Sequence, residues 1–281
     1  MSTYHDLLME YRKEFEDAGY SRETLKLFLF ELCNEKDIDL YVEMENEALP
    51  SIEAKYKEGV KRLMKDEPLN YVLGYSWFFG YMMIVNKDVL IPRFETEELV
   101  GFILGEIDLY KPEGEIVLAD VGTGSGAIAI ALEREEARLK VFASDISKEA
   151  LEVAKMNAEA NGAEVSFIEG SMLTPFIEKG IRLDILVSNP PYIPKEETIE
   201  ASVYDYEPHV ALFGGQDGLR FYREIFENAE KVLKKDGMMF FEIGYDQAER
   251  LTALAREHFP EAHIEIRKDI NRKDRMLEIR F

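Results

Sequence analysis

The stretch LADVGTGSGAIAIALE, Leu118 to Glu133, sets the reading of the chain. An apolar run stops at Val121, three glycines follow at alternate positions, and an alanine- and isoleucine-rich run begins at Ala127. The pattern is strand, tight loop, helix. Gly122, Gly124 and Gly126 allow a sharp turn and let a ligand approach the backbone without a Cβ in the way. Gly122, Gly124 and Ala127 also satisfy the dinucleotide fingerprint in its G-x-G-x-x-G/A form. Asp145 closes the next strand, in VFASDIS, nineteen residues after Gly126. A carboxylate at that strand tip suits a pair of ribose hydroxyls. It also suits a helix N-cap, although Ser147 is better placed for that role. Loop and carboxylate together indicate a nucleoside-bearing ligand and leave open which one.

Working outward, strands and helices alternate from Gly101 onward. EIVLADV, KVFASD, EVSFIEG, LDILVSN, MMFFEIG, AHIEIRKD and RMLEIRF read as strands, with helices between the first five and before the sixth. This rhythm predicts an α/β fold with a mostly parallel sheet covered on both faces. Its ligand belongs at the carboxyl ends of the strands, where strand order reverses. Upstream, YVLGYSWFFGYMMIV (Tyr71–Val85) is aromatic, β-branched and broken by Gly74 and Gly80, so it reads as a hairpin. Before it, Tyr4, Leu7, Leu8, Tyr11 and Phe15 repeat at helical spacing, with Gly19 as a stop. Ser21 caps a second helix and Ser51 a third. The expected organisation is a helical domain over 1–70, a hairpin linker over 71–95 and an α/β catalytic domain over 96–281.

The 281 residues carry a net charge of −22, which excludes a broad phosphate-gripping surface built on clustered Lys and Arg. No apolar run approaches the ~18 residues needed to span a bilayer, and the acidic amphipathic N-terminus lacks the pattern of a signal peptide. Cys33 is the single cysteine, so no internal disulfide forms; it reads as a core side chain. The four histidines fall at no metal-ligand spacing, and no metal is expected.

After the fourth strand, Ser188 is followed by Asn189-Pro190-Pro191-Tyr192. An amide or exocyclic amino nitrogen is a poor nucleophile, because its lone pair is delocalised into the adjacent π system. Two acceptors that bind both N–H hydrogens fix such a nitrogen and favour a pyramidal geometry. Asn189 offers a side-chain carbonyl and Pro190 a main-chain carbonyl. The prolines stiffen the loop and carry no N–H of their own. Tyr192 adds an aromatic wall beside a cationic methyl.

This NPPY, with D-x-G-x-G-x-G after the first strand, resembles the AdoMet-dependent methyltransferases of planar nitrogens, a Rossmann-like fold. The resemblance implies S-adenosyl-L-methionine as cofactor and S-adenosyl-L-homocysteine as product. The matching cofactor-binding positions are Asp120, Gly122, Thr123, Gly124, Ser125, Gly126, Asp145, Ser171, Met172 and Asn189. Met172 reads equally well as a core residue. Adenine N6 in nucleic acid and the glutamine side-chain amide both fit the two-acceptor site.

PLNYVLGYSWFFG, VLIPRFETEELV, SNPPYI and EPHVALFGGQDGL extend the likeness over Pro68 to about Leu219. Together they resemble the release factor glutamine N5-methyltransferases, the HemK family. That resemblance implies methylation of the glutamine in the Gly-Gly-Gln loop of class-1 peptide chain release factors. It further implies a small helical domain that helps hold this protein partner, a cytoplasmic location, and no direct contact with nucleic acid or membrane. Asn189, Pro190 and Tyr192 are the expected catalytic residues; Phe94, Pro191 and the same three form the expected substrate site. Phe94 stands where the family more often has proline, and it reads equally as a loop aromatic covering a core edge. Arg93 and Glu95 are read as organising the pocket entrance or pairing with each other. Glu207 belongs either to a segment closing over the site or to the structural framework. Gly214-Gly215-Gln216 copies the substrate motif, but Gln216 falls in a variable slot of the family's G-G-x-D-G-L.

Overall fold

The computed structural model describes residues 2–111 and 113–281. They divide into two compact units, one running up to Tyr75 together with residues 200–206, the other starting at Ser76 and made of the rest.

The first unit is helical: α1 (Tyr4–Asp17), α2 (Arg22–Asn34), α3 (Leu40–Glu43), α4 (Pro50–Leu63) and α5 (Leu69–Leu73). Thr3 and Asp6 form a capping box on α1, and the Ser21 hydroxyl caps α2. One expected cap is corrected. The helix assigned to Ser51 starts at Pro50, with Leu49 as an N-cap that makes no side-chain bond. Proline suits the first helical position, since it lacks the N–H that would go unpaired there. The apolar stripes of these helices meet in a core around Leu7, Phe28, Leu29 and Tyr56, and Cys33 is buried in it.

The hairpin is shorter than its sequence pattern. Tyr71 lies in α5, which Gly74 ends in the left-handed conformation at φ 87°. Strands β1 (Tyr75–Phe78) and β2 (Tyr81–Ile84) follow. Phe79 and Gly80 join them, both at positive φ, as a type I′ turn requires.

The second unit continues with α6 (Phe94–Tyr110), β3 (Ile116–Val121), α7 (Ala127–Glu135), β4 (Leu139–Asp145), α8 (Lys148–Asn161), β5 (Val165–Glu169), α9 (Thr174–Lys179) and β6 (Leu183–Ser188). After α10 (Ala201–Tyr206), which groups with the first unit, come α11 (Arg220–Phe226), α12 (Ala229–Val232), β7 (Leu233–Glu242), α13 (Ala248–His258), β8 (His263–Lys268) and β9 (Asp274–Arg280). All seven expected strands form one sheet, in the order β5-β4-β3-β6-β7-β9-β8. The pairs among the first five are parallel; β9 runs antiparallel to both β7 and β8.

Every residue of β6 is buried, as a central parallel strand demands. Alternate residues feed two cores. Leu118, Ile185, Val187 and Phe240 face one cluster; Ala119, Val121, Leu186 and Phe241 face the other. Strand order reverses between β3 and β6, so the loops after these two strands diverge and leave a crevice between them.

Candidate active site

Both loops singled out from the sequence open on that crevice. A cavity of about 260 Å³ is lined by Gly122, Thr123, Gly124 and Ser125 after β3, and by Asn189 and Pro191 after β6. Asp145 and Ile146 contribute from the end of β4, and Ser171 and Met172 from beyond β5.

The three glycines have different duties. Gly122 and Gly124 sit at φ +75° and +55° with open space where a Cβ would stand. Gly126, at φ +83°, is the N-cap of α7, and a Cβ there would press on Ala154 of α8 and on Ile130 at 3.1 Å. It therefore serves packing, and the other two leave room for a ligand. The loop is tied to β4: the Gly122 and Thr123 N–H groups donate to the Ser144 carbonyl at 2.8 and 2.9 Å. Asp145 holds it from the side, accepting from Gly124 N at 2.9 Å and from Ser147 N at 2.9 Å. Ser147, not Asp145, caps α8, through a bond from Ala150 N. Burial raises the Asp145 carboxyl above its ordinary range against the pull of those backbone donors.

Asp120 lies beneath the loop, fully buried, and does not line the cavity. Its Oδ2 accepts from the Thr123 hydroxyl at 2.6 Å, while its Oδ1 has no hydrogen-bond partner among the described residues. Desolvation pushes this carboxyl up to about 7. Orphaned oxygens on buried carboxylates are costly, and a nearby cation offsets that cost. S-adenosyl-L-methionine carries both a sulfonium and an ammonium. The open glycine cradle has room for it, and the carboxylate buried beneath the loop has the charge that favours a cation nearby.

Asn189 follows directly on β6. Its Nδ2 donates to Thr96 Oγ1 at 3.2 Å. Pro190 is buried, and Tyr192 is half-buried outside the cavity lining, with its hydroxyl 3.4 Å from Glu242 Oε1. Burial, then the neighbouring Glu242, push the Tyr192 phenol above its ordinary range. Phe94 also lies outside the lining; it starts α6 and is 58% exposed.

The FGGQDGL segment is zipped to the NPPY loop. Ile193 N donates to the Leu212 carbonyl at 3.0 Å, Gly214 N to Ile193 at 2.9 Å, and Lys195 N to Gly215 at 2.9 Å. A Cβ on Gly214 would strike the Pro191 carbonyl, and one on Gly218 the Tyr192 carbonyl. Gln216 is exposed.

Several site residues escaped the sequence reading. Thr96 lines the cavity and is 5% exposed. Asn157 of α8 joins the hairpin to the glycine loop: it accepts from Ile84 N at 2.6 Å and donates to the Ser125 carbonyl at 2.8 Å. Arg93 lines the cavity and pairs with Glu207, so of the two readings offered for Arg93 and Glu95 their mutual pairing is not the one found. The other Glu207 oxygen accepts from Ile91 N at 3.4 Å, and its side chain is almost wholly buried. Glu207 thus fastens the chain beside Pro208 and Ala211, both cavity residues, to the loop before α6.

A sheet of this topology, with a glycine loop and NPPY meeting at its switch point, defines a methyltransferase. Residues 107–205 match the methyltransferase small domain model, and residues 6–74 match the PrmC N-terminal domain. The crystal structure of a methyltransferase from Pyrococcus furiosus shares the fold, with a TM-score of 0.51 at 18% identity, covering 80% of this chain and 98% of that one. The release factor glutamine methyltransferase of Bacillus cereus is 44% identical over 264 residues, 93% of each chain. That of Staphylococcus aureus is 34% identical over 283 residues, the full length of both. The chain belongs to the release factor glutamine methyltransferase family.

Proposed function

We propose that this methyltransferase transfers a methyl group from S-adenosyl-L-methionine to the side-chain amide nitrogen, N5, of the glutamine in the Gly-Gly-Gln loop of class-1 release factors. One observation carries the reading: Asn189 and the glycine loop line the same cavity, where strand order reverses between the parallel strands β3 and β6. Family membership supports the substrate.

S-adenosyl-L-methionine supplies an electrophilic methyl on a positively charged sulfur. Gly122 and Gly124 give it space, Asp145 offers acceptors for ribose hydroxyls, and Asp120 supplies the compensating negative charge. Ser171 and Met172 line the same cavity. The Asn189 Oδ1 and the Pro190 carbonyl accept the two N–H hydrogens of the substrate amide and so orient its nitrogen. Pro191 walls the site, Tyr192 stands behind the loop with its hydroxyl on Glu242, and exposed Phe94 offers an apolar contact to the protein substrate. Rate arises from positioning and preorganised dipoles. Transfer breaks the S–CH₃ bond and moves the positive charge to the amide nitrogen, and in that cationic state the nitrogen is acidic enough to release one proton to water unaided, so no general base is required. The helical unit of residues 1–75 serves to hold the release factor.

The test is incubation with methyl-labelled S-adenosyl-L-methionine and either a class-1 release factor or DNA and RNA, followed by location of the label by peptide mass. Label on the Gly-Gly-Gln glutamine is the expected result. Label on adenine, or none on the release factor, refutes the assignment.

A further inference from the structure

Thr96 stands between two groups whose hydrogen-bonding roles are fixed by chemistry. Its hydroxyl is 2.6 Å from Glu242 Oε2 and 3.2 Å from Asn189 Nδ2. Glu242 is the last residue of β7 and is 2% exposed. An ionised carboxylate can only accept, so Thr96 gives it the single proton it owns. The Thr96 oxygen is then an acceptor alone. Only the NH₂ end of the Asn189 amide can meet it, and the carbonyl end is left to face elsewhere.

We propose that Glu242, acting through Thr96, is the positioning residue that sets the direction of the Asn189 amide, so that its carbonyl and not its NH₂ meets the reacting nitrogen. This rests on the two-acceptor reading above. The polarity of the relay runs Asn189 to Thr96 to Glu242, and it reverses if the carboxylate gains a proton. Protonated Glu242 donates to Thr96, Thr96 turns its own proton toward Asn189, and the amide rotates to accept it. The NH₂ then confronts the N–H groups of the substrate, donor against donor.

The surroundings make that reversal accessible. Four elements bring polar groups to Glu242. From α6 come Thr96 and Glu95, from the loop after β6 Tyr192, and from β9 Arg275. From α11, Tyr222 donates to the Glu242 main-chain carbonyl at 2.7 Å. Burial raises the carboxyl above its ordinary range, with the Glu95 charge in the same sense; Thr96, Arg275 and Tyr192 act against it. A carboxylate so placed gives up its charge at a higher pH than an exposed glutamate.

The experiment is single-turnover methyl transfer to a release factor at saturating S-adenosyl-L-methionine, which removes any effect on cofactor affinity. Thr96→Val should slow transfer by about 10²-fold, the loss typical of a misdirected reacting group, with cofactor affinity unchanged in calorimetry. Thr96→Ser, which keeps the hydroxyl, should return most of the rate. Wild-type protein should lose rate on acidification, and Glu242→Gln, which has no proton to gain, should lack that acidic limb. A Thr96→Val rate equal to wild type overturns the proposal. So does an acidic limb that persists unchanged in Glu242→Gln, and this profile decides the matter if Thr96→Val fails to fold. The side-chain amide signals of Asn189 in ¹⁵N NMR give a readout independent of activity. They should shift with pH in wild type and stay fixed in Glu242→Gln; equal behaviour in the two overturns the relay. Wild-type protein that leaves glutamine unmethylated sinks the proposed substrate instead, and the NMR comparison still tests the relay.

Discussion

Asp120→Asn isolates the cost of keeping a buried carboxylate under the glycine loop. The carboxyl of Asp120 is pushed from 3.8 to about 7 by burial, against the Thr123 hydroxyl and the Ala129 backbone, with Asp145 adding the smallest contribution upward. A raised pKa in the folded state means that the folded chain holds its proton where the unfolded chain has lost it. Stability from this group is complete below pH 3.8, falls across the interval up to about 7, and stays low above it. That interval is about three pH units, and at ~1.4 kcal/mol for each the ceiling on the lost stability is about 4 kcal/mol.

Asparagine has the same shape and no charge. Its Oδ1 keeps the Thr123 hydrogen bond, while its NH₂ takes the place of the orphaned Oδ1 and finds no acceptor, at a cost of about 1–3 kcal/mol. The ligand-free mutant should therefore be more stable than wild type at pH 8 by about 1–3 kcal/mol, and near pH 4, where wild type has regained most of its stability, the unpaired NH₂ should leave the mutant the less stable of the two. Urea unfolding at the two pH values measures both. Calorimetry on the same protein should show cofactor affinity reduced at least tenfold, about 1.4 kcal/mol, because the compensating charge is gone. A mutant less stable than wild type at pH 8, or a gain that does not depend on pH, would refute the account of Asp120 as a destabilising carboxylate kept for its ligand.

Three further outcomes follow from the same geometry. Asn189→Ala should slow single-turnover transfer by about 10²–10³, with cofactor affinity little changed; a thermal melt separates this from unfolding, and a near-wild-type rate in folded protein sinks the two-acceptor site. Asp145→Ala removes an acceptor for Gly124 N and Ser147 N as well as for ribose; calorimetry should show about 1.5–3 kcal/mol less binding energy, and unchanged affinity would leave Asp145 as a brace for the loop alone. Gly218→Ala forces a Cβ into the Tyr192 carbonyl at φ +76°; the left-handed backbone alone costs about 1–3 kcal/mol, and the transfer rate should drop more than cofactor affinity. Equal loss of both in a folded protein would show that the FGGQDGL segment does not brace the NPPY loop selectively.

What the sequence disclosed was whatever is encoded locally. The β3–loop–α7 unit and the end of β6 are short, and each residue type there answers to a backbone need: φ above zero at Gly122 and Gly124, no N–H at Pro190 and Pro191. Seven strands were legible because period and composition change together where strands meet helices. Local reading also had its error, at Ser51, where a proline one position earlier outcompeted a good cap. Interactions between distant positions were invisible. Thr96 and Glu242 are 146 residues apart, and Arg93 and Glu207 are 114. Nothing in either local pattern names the other partner. One signal was present: MMFFEIG ends an apolar strand on a glutamate, and a carboxylate at the carboxyl end of a central strand is seldom there for packing.

The Gly-Gly-Gln copy at 214–216 shows how geometry decides a point that composition left to coincidence. Two readings compete: a mimic of the substrate, or a structural motif with an incidental glutamine. A mimic would need Gln216 directed into the cavity, yet it is exposed and absent from the lining. The glycines have another reason to be there. Gly214 lies against the Pro191 carbonyl and Gly218 against the Tyr192 carbonyl, each closer than any Cβ permits. Gln247 completes the contact by donating from Nε2 to the same Tyr192 carbonyl at 2.9 Å. The motif is therefore read through its spaces: it backs the loop that carries Asn189, and residue 216, which touches neither, is free to vary. Substituting Gln216 by Ala should leave both the melting temperature and the transfer rate unchanged, while the same change at Gly214 should lower both.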